Sequence, residues 1–430
     1  MRRPVPTGKL LRSPVERTQG AEEEPAVKKN SRKTQTIDGK GASPRSTSQE
    51  AKKGKRKVVV PVKGGQPAIT IGIDVGDKHS HYCWLDADGE IVKQGRVAST
   101  RAAVEKEFSG ITGARIALET GTHCRWMSEV LKDLGHEVIV ADARELKSIT
   151  GSRRKSDPKD AEQLARLARV DVRLLHPVSL RGRKTQQDRS VLQARNALVE
   201  VRTKLICTIR GMVKSDGARL ESSSAEAFPE QVKEAIPEGL RRAVAPLLEM
   251  LDELNEKIRY YDQLVAHMAE KEYPESRLLT QVAGVGALTA LYFVLTIEDA
   301  GRFERSRDVG SYFGLVPKQK DSGESTPQLR ISKAGDEGAR RLLVNCAHYI
   351  LGVFGPDSDL KRWGVDLAAR GGKNAKKRAI VAVARKLAVL LHRLWVTGES
   401  YEPLRNSDKK ATAKKAAAAA IAAASKTAAA

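Results

Sequence analysis

Residues 68–76 read AITIGIDVG, an apolar run broken by one carboxylate, Asp74, and closed by glycine. Short β-branched runs bounded by glycine read as strands. Residues 81–86 and 90–97 follow, split by Asp86-Ala87-Asp88-Gly89, which is hairpin-turn chemistry. The opening of the block is therefore three short strands joined by hairpins. Ser99 or Thr100 can cap a helix running to about Phe108. RIALE at 115–119 makes a fourth strand. A helix over residues 124–134 is closed by Gly135, and residues 137–140 form a fifth strand. Asp157-Pro158 then opens a helix through about Val170, with proline in the first turn, where its missing N–H leaves no bond unmade.

The order β-β-β-α-β-α-β-α is that of an α/β RNase H-like domain. In it the first and fourth strands are neighbours and the late helix packs beside them. Four carboxylates occupy telling positions. Asp74 lies within the first strand, between Ile73 and Val75, where a charge in an apolar run requires a compensating partner. Glu119 ends the fourth strand. Asp157 and Asp160 are three apart and share a helix face. Converging like charges repel unless a cation neutralises them. Mg²⁺, with Mn²⁺ as its substitute, is the hard ion that suits oxygen ligands and also engages phosphate. Two such ions can clamp the oxygens of a phosphodiester. Each acid also has a plainer role. Asp157 could be an N-cap, Asp160 a first-turn acid favoured by the helix dipole, and Glu119 a surface residue. Asp77, Asp86 and Asp88 read as turn acids. His79 and His81 read as structural.

Charge narrows the partner. The chain has 430 residues with 76 Lys/Arg and 53 Asp/Glu, a formal charge of +23. That balance points to a polyanion, most often nucleic acid. Aromatics are only 4%, against binding by extended base stacking. Residues 1–66 hold 17 Lys/Arg and 6 Asp/Glu with no aromatic residue, and read as a disordered basic tail. Its densest run is residues 52–57, KKGKRK. The Ala/Lys-rich end, 406–430, reads as a second tail. Both tails fit either salt-sensitive phosphate binding or simple solubilisation. The apolar core of a signal peptide is missing from residues 1–40, and the longest apolar stretch, about 285–297, is too short for a bilayer. No membrane association is expected. Cys83, Cys124, Cys207 and Cys346 form no CxxC pair, which argues against zinc and is neutral to a reduced cytoplasm.

Between the blocks, Val191, Ala194, Leu198, Val201, Leu205, Thr208 and Met212 alternate steps of three and four. Leu247, Leu251, Leu254, Ile258, Tyr261, Val265 and Met268 do the same. Both match a heptad repeat. They predict a helical coiled-coil hairpin over 185–270, either a dimer arm or a bundle within one chain. Arg195, Arg202, Lys204 and Arg210 on the first helix face nucleic acid or water.

The last block, 275–405, is mostly helical. Val282-Ala283-Gly284-Val285-Gly286 precedes an apolar helix, a helix-hairpin-helix-like turn whose N–H groups can meet a phosphate. Residues 310–317, GSYFGLVP, are followed by Asp321-Ser322-Gly323, by ISKAGD at 331–336 and by RRLLV at 340–344. GGKNAKKR at 371–378 then leads into the apolar run 379–395.

In that order, GVG, GLVP, SG, ISKAGD and RRLLV resemble the C-terminal domain of the insertion-sequence transposases named "one-ten". GIDVG, ALETG and KSDPKDAEQLA, at 72–76, 117–121 and 155–165, resemble that family's DEDD domain, akin to Holliday-junction resolvases of the RuvC type. The resemblance spans roughly 68–404, with the DEDD catalytic domain at 67–175, and leaves the basic N-terminal tail outside. It implies a DNA recombinase that excises and inserts its element. On the matching positions the metal-binding acids are Asp74, Glu119, Asp157 and Asp160, and the nucleophile that forms a phosphoserine link to DNA is Ser322. Many members carry two serines before the glycine, whereas this chain has Asp321-Ser322-Gly323. The resemblance further implies a structured non-coding guide RNA bridging donor and target DNA, a homodimer or dimer of dimers, and a place on the bacterial nucleoid in the cytoplasm. Gly284, Gly286, Lys333, Arg340, Arg341, Lys376, Lys377 and Arg378 are the candidate nucleic-acid contacts. Two other functions use the same residues differently. A junction nuclease would need the four acids but not Ser322, and a binding protein would need neither.

Overall fold

The computed structural model describes residues 58–59, 62–63, 66–149, 156–323, 325–327 and 329–407. Three two-residue strands come first: β1 (Val58–Val59), β2 (Val62–Lys63) and β3 (Gln66–Pro67). β2 pairs with β3, and β1 runs parallel to β7 (Ile111–Thr112). The segment read as a disordered tail to residue 66 therefore contains paired backbone at Val58–Val59, at Val62–Lys63 and at Gln66. The rest of that tail, 1–57, and residues 408–430 lie outside the described residues. Asn406 and Ser407, expected to open the second tail, are instead bound to Asp359 through their amides, at 2.7 and 3.1 Å.

The main sheet is built from β4 (Thr70–Asp74), β5 (His79–Leu85), β6 (Ile91–Ala98), β8 (Arg115–Glu119) and β9 (Glu137–Ala141). Its spatial order is β6-β5-β4-β8-β9. The first three strands are antiparallel hairpins, and β4, β8 and β9 run parallel. This mixed five-stranded sheet is compatible with the expected RNase H-like domain.

The two faces of the sheet are covered differently. α1 (Arg101–Phe108) and α2 (Cys124–Asp133) lie over one face, where Ile71, Ile73, Ile116 and Leu118 meet Val104, Phe108, Met127 and Leu131. Thr100 is the N-cap of α1 without a side-chain bond, while Ser99 donates to the Gly76 carbonyl at 2.8 Å. α3 (Ala143–Ile149) and α4 (Asp157–Val170) follow β9. α4 covers the opposite face, with Ala161 and Ala165 against Cys83 and Leu85 and Leu164 and Ala168 against Ala117 and Ile139.

Gly72 sets how closely α4 approaches. A Cβ at Gly72 would stand 2.0 Å from the Ala161 carbonyl oxygen and 2.5 Å from the Ala165 nitrogen. Helix backbone thus rests directly on strand backbone. Gly72→Ala must lift the helix and is expected to cost about 1–3 kcal/mol as overpacking. Urea unfolding measures it, and an unchanged midpoint would refute the close approach.

The remaining chain is helical: α5 (Arg183–Ser215), α6 (Phe228–Val232), α7 (Glu238–His267), α8 (Ser276–Thr280), α9 (Ala287–Ile297), α10 (Val309–Tyr312), α11 (Glu337–Leu351), α12 (Asp359–Ala369) and α13 (Ala375–Thr397). α5 and α7 pack against each other. Ile209 and Val213 of α5 meet Val244, Leu248, Leu251 and Leu254 of α7, with Phe228 of α6. The seam expected on α7 is buried at Leu251, Leu254, Ile258 and Val265. On α5 it is displaced. Val201 is 47% exposed, and its neighbour Arg202 is buried instead, donating to the Asn255 side-chain oxygen at 2.9 Å. Arg195 pairs with Asp262 at 2.6 Å, and Arg210 donates to the Leu220 and Glu221 carbonyls. Three of the four basic residues read as facing nucleic acid or water therefore serve the packing of this hairpin.

A second core surrounds α9, whose residues 289–297 are all buried, against Leu343, Cys346 and Ala347 of α11 and Leu387 and Leu391 of α13. The start of α5 is locked to it. Buried Arg189 donates to Thr296 Oγ1 at 2.7 Å and to Asp336 at 2.6 Å. Burial by itself would raise the Asp336 carboxyl, but the Ala339 amide and Arg189 hold it below the usual carboxylate range.

Candidate active site

The site begins with strand alternation. Successive side chains of a strand point to opposite faces. Ile71 and Ile73 face the α1–α2 core, so Gly72 and Asp74 face α4. Ile116 and Leu118 likewise face α1–α2, which puts Ala117 and Glu119 on the α4 side. β4 and β8 are parallel, with Ile73 opposite Leu118. Asp74 and Glu119, the next residue of each, therefore end two neighbouring strands on one face of the sheet.

α4 supplies the other two acids. Its N-cap is Ser156. Asp157, for which a capping role stood open, is already inside the helix. Asp160 donates its amide to the Ser156 carbonyl at 3.1 Å, so both acids stand in the first turn. The Gly72–Ala161 contact holds that turn at the strand-end side of the sheet. Across the hairpin, His81 is the direct partner of Asp74, and its Nδ1 lies 3.5 Å from Asp157 Oδ2. The acids are arranged around one end of the sheet rather than gathered. Among the described residues, no three His, Cys, Asp or Glu side chains are grouped closely enough to hold a metal ion. The donor set itself, four carboxylates, suits a hard divalent cation. Sequence reasoning set His81 aside as structural. The signal that singles it out is the β4–β5 register, which a strand assignment alone does not supply.

Ser322 belongs to a different element. A ribbon is paired at its base at Pro317 and Ile331, with Lys318 N–H donating to the Arg330 carbonyl at 2.9 Å and Ser332 N–H to the Val316 carbonyl at 2.8 Å. At its tip Ser322 and Ser325 exchange backbone hydrogen bonds of 3.2 and 3.0 Å. Gly323 takes a φ of 55° there, a left-handed conformation that glycine adopts without strain. Ser322 is exposed.

The candidate nucleic-acid contacts divide. Gly284, with a φ of 88°, leaves room for the Tyr349 ring, 2.7 Å from where a Cβ would stand. Gly286 is the extended N-cap of α9. Both line an open groove of about 500 Å³ shared with Val282, Asn345 and Tyr349. Lys333 is exposed, with a φ of 56°. Arg340 is occupied internally, donating to the Phe313 and Ala334 carbonyls at 3.2 and 2.9 Å. Arg341 lies 3.6 Å from Glu200 and is half-exposed. Lys376, Lys377 and Arg378 are exposed in the first turn of α13, and Arg378 donates to the Gly371 carbonyl at 3.3 Å.

Residues 71–215 match a DEDD-type domain family described as transposase, and residues 276–359 match the family described as transposase IS116/IS110/IS902. The chain is 28% identical over 340 residues to the transposase for insertion sequence element IS1111A of Coxiella burnetii (strain RSA 493 / Nine Mile phase I), across 77% of this chain and 90% of that protein. It is 27% identical over 330 residues to the transposase for insertion sequence element IS1328 of Yersinia enterocolitica, across 75% and 95%. A probable family 20 transposase of Pseudomonas aeruginosa is 26% identical over 345 residues, across 77% and 98%.

Proposed function

This chain is a transposase carrying both domains of the IS110 family, an enzyme acting on DNA, and on that premise we propose that it cuts and rejoins strands through two separate sets of residues. Asp74, Glu119, Asp157 and Asp160 are the metal-binding acids, and Ser322 is the nucleophile. The observation that carries the first assignment is the placement of Asp74 and Glu119 at the ends of adjacent parallel strands, on the face covered by α4. Mg²⁺, or Mn²⁺ in its place, would be held by these carboxylates and supplies charge neutralisation at the phosphodiester. Ser322 attacks phosphorus with its Oγ. One P–O bond of the DNA breaks as the bond to serine forms; the serine proton passes to solvent, and the released strand end takes up a proton and leaves as a free hydroxyl. The phosphoserine link keeps the ester energy, so a second strand end can displace the serine without an external energy source. The exposed tip of the ribbon suits this role, since a nucleophile must reach DNA bound outside the protein.

Positive charge supports the nucleic-acid partners. Lys376, Lys377 and Arg378 stand at the helix end where the dipole disfavours cations. A bound phosphate relieves that conflict. Gly284, Gly286, Lys333 and Arg341 line or flank further exposed surface. Arg340 supports the loop from within. Element ends and target DNA are the substrates, and a structured guide RNA is the further polyanion. A dimer or dimer of dimers would bring the strands together. The chain works in the bacterial cytoplasm on the nucleoid. No helix among the described residues is long and apolar enough to cross a membrane.

The test is to trap the reaction on a nicked substrate, digest the protein and map the DNA-modified peptide by mass spectrometry. A mark on Ser322 supports the assignment. An active protein with no adduct overturns it.

The N-terminal tail gives a separate expectation. Residues 1–57 hold 16 Lys/Arg and 6 Asp/Glu, a net of +10. Deleting them lowers affinity for random duplex, most at low salt, and flattens the slope of log K against log salt. Fluorescence anisotropy over a salt series measures this. An unchanged slope excludes the tail from binding.

A further inference from the structure

We infer that His81 is a positioning residue of the acid site, holding the Asp157 carboxylate toward Asp74. The inference rests on the reading of Asp74, Glu119, Asp157 and Asp160 as the metal-binding acids.

The β4–β5 register makes His81 the direct antiparallel partner of Asp74. Directly opposed residues share one face of a sheet, with Cβ atoms about 4.5–5.5 Å apart. That face is the one α4 covers, because Cys83 and Leu85, two and four residues further along the strand, pack on Ala161 and Ala165. From this position the imidazole reaches the first turn of the helix, where its Nδ1 lies 3.5 Å from Asp157 Oδ2. The two side chains differ in freedom. His81 is 25% exposed and Asp157 is 64% exposed. The imidazole is the more covered of the two, whereas an exposed carboxylate in a first helical turn has several rotamers open to it. With a proton on Nδ1, the imidazole donates toward the carboxylate and selects the rotamer directed at the strand end. Partners that orient a metal-ligating carboxylate in this way typically account for about 10–100-fold in metal affinity.

The experiment uses the full chain and Mn²⁺ alone as the probe, followed by titration calorimetry, with strand exchange measured in parallel. Wild type, Asp74→Asn, His81→Ala, His81→Asn and His81→Gln are compared. His81→Ala weakens Mn²⁺ about 10–100-fold and lowers kcat, while KM for DNA stays unchanged. His81→Asn places an amide nitrogen where Nδ1 was and restores most of the affinity. His81→Gln places it at the Nε2 position and does not. Should His81→Ala fail to fold, the Asn and Gln variants decide between the outcomes. Wild-type affinity in His81→Ala, or equal rescue by Gln and Asn, overturns the inference while Mn²⁺ binding lost in Asp74→Asn leaves the four-acid reading standing. Mn²⁺ binding that is absent from wild type, or untouched by Asp74→Asn, overturns both.

Discussion

Protein carrying Ser322→Ala folds, binds DNA and exchanges no strands. The substitution removes one hydroxyl from an exposed turn, and the hydrogen bonds that close the turn run between the backbones of residues 322 and 325. Fold and binding are therefore untouched. The reaction loses the atom that forms the new ester, so the DNA adduct disappears with activity. Ser322→Cys keeps a trace of exchange, since a thiolate is nucleophilic but larger and partnered by softer metals. Ser325→Ala is the control. It sits in the same turn, offers the same backbone bonds and retains full activity. Gel shift of trapped protein–DNA adducts reads all three. Full exchange by the Ser322→Ala protein would overturn the serine assignment, and undiminished cleavage without rejoining would leave metal-activated water as the attacking group and make the enzyme a nuclease.

Asp74→Asn is expected to lower exchange by about 10²–10³-fold, the scale on which lost electrostatic stabilisation of a transition state is felt. Its position explains the size. Asp74 ends the central strand β4, between β5 and β8, on the face where Glu119 and the first turn of α4 also lie. Asparagine has nearly the same volume, so the packing around Gly72 stays. Removing one of several neighbouring negative charges relieves repulsion, and the melting temperature of metal-free protein holds or rises. Chelation has the same effect on wild type, reversed by Mg²⁺ or Mn²⁺. Stopped-flow or gel-based exchange assays with paired thermal melts separate loss of chemistry from loss of fold. Wild-type exchange by Asp74→Asn would remove this residue from the metal-binding set.

What could be read from the chain follows the range of the interactions involved. The five sheet strands were legible from short runs with a glycine or acidic turn beside them, apolar in β4, β8 and β9, as in residues 68–76 and 86–89. Their order was legible because hairpins and crossovers leave few topologies. The close approach of α4 was not, since Gly72 and Ala161 are distant in sequence and nothing local to either reveals the other. The partner of Asp74 was hidden for the same reason. His81 becomes meaningful only once the hairpin register is known. On α5 the heptad pattern misled. It placed Val201 in the seam, whereas Arg202 turns inward to Asn255 and Glu226, a polar contact that apolar periodicity cannot register. On α7 the apolar repeat was seen only from Leu247, while the helix begins at Glu238 and continues through Pro246. Packing on α6 and α5 sustains it across a residue that would end an isolated helix.

The ribbon that bears Ser322 has the mechanical character of a boom. Its paired base lies at Pro317 and Ile331, and an extended chain gains about 3.3 Å per residue. Five steps beyond the base, the serine hydroxyl lies at most ~17 Å from it. On the proposed reaction it attacks the phosphate brought within that distance, and selecting that phosphate falls to whatever holds the DNA, the proposed guide RNA included. Address and chemistry are then separate: changes in how DNA is held alter where the element lands, and changes at the tip alter whether it lands at all.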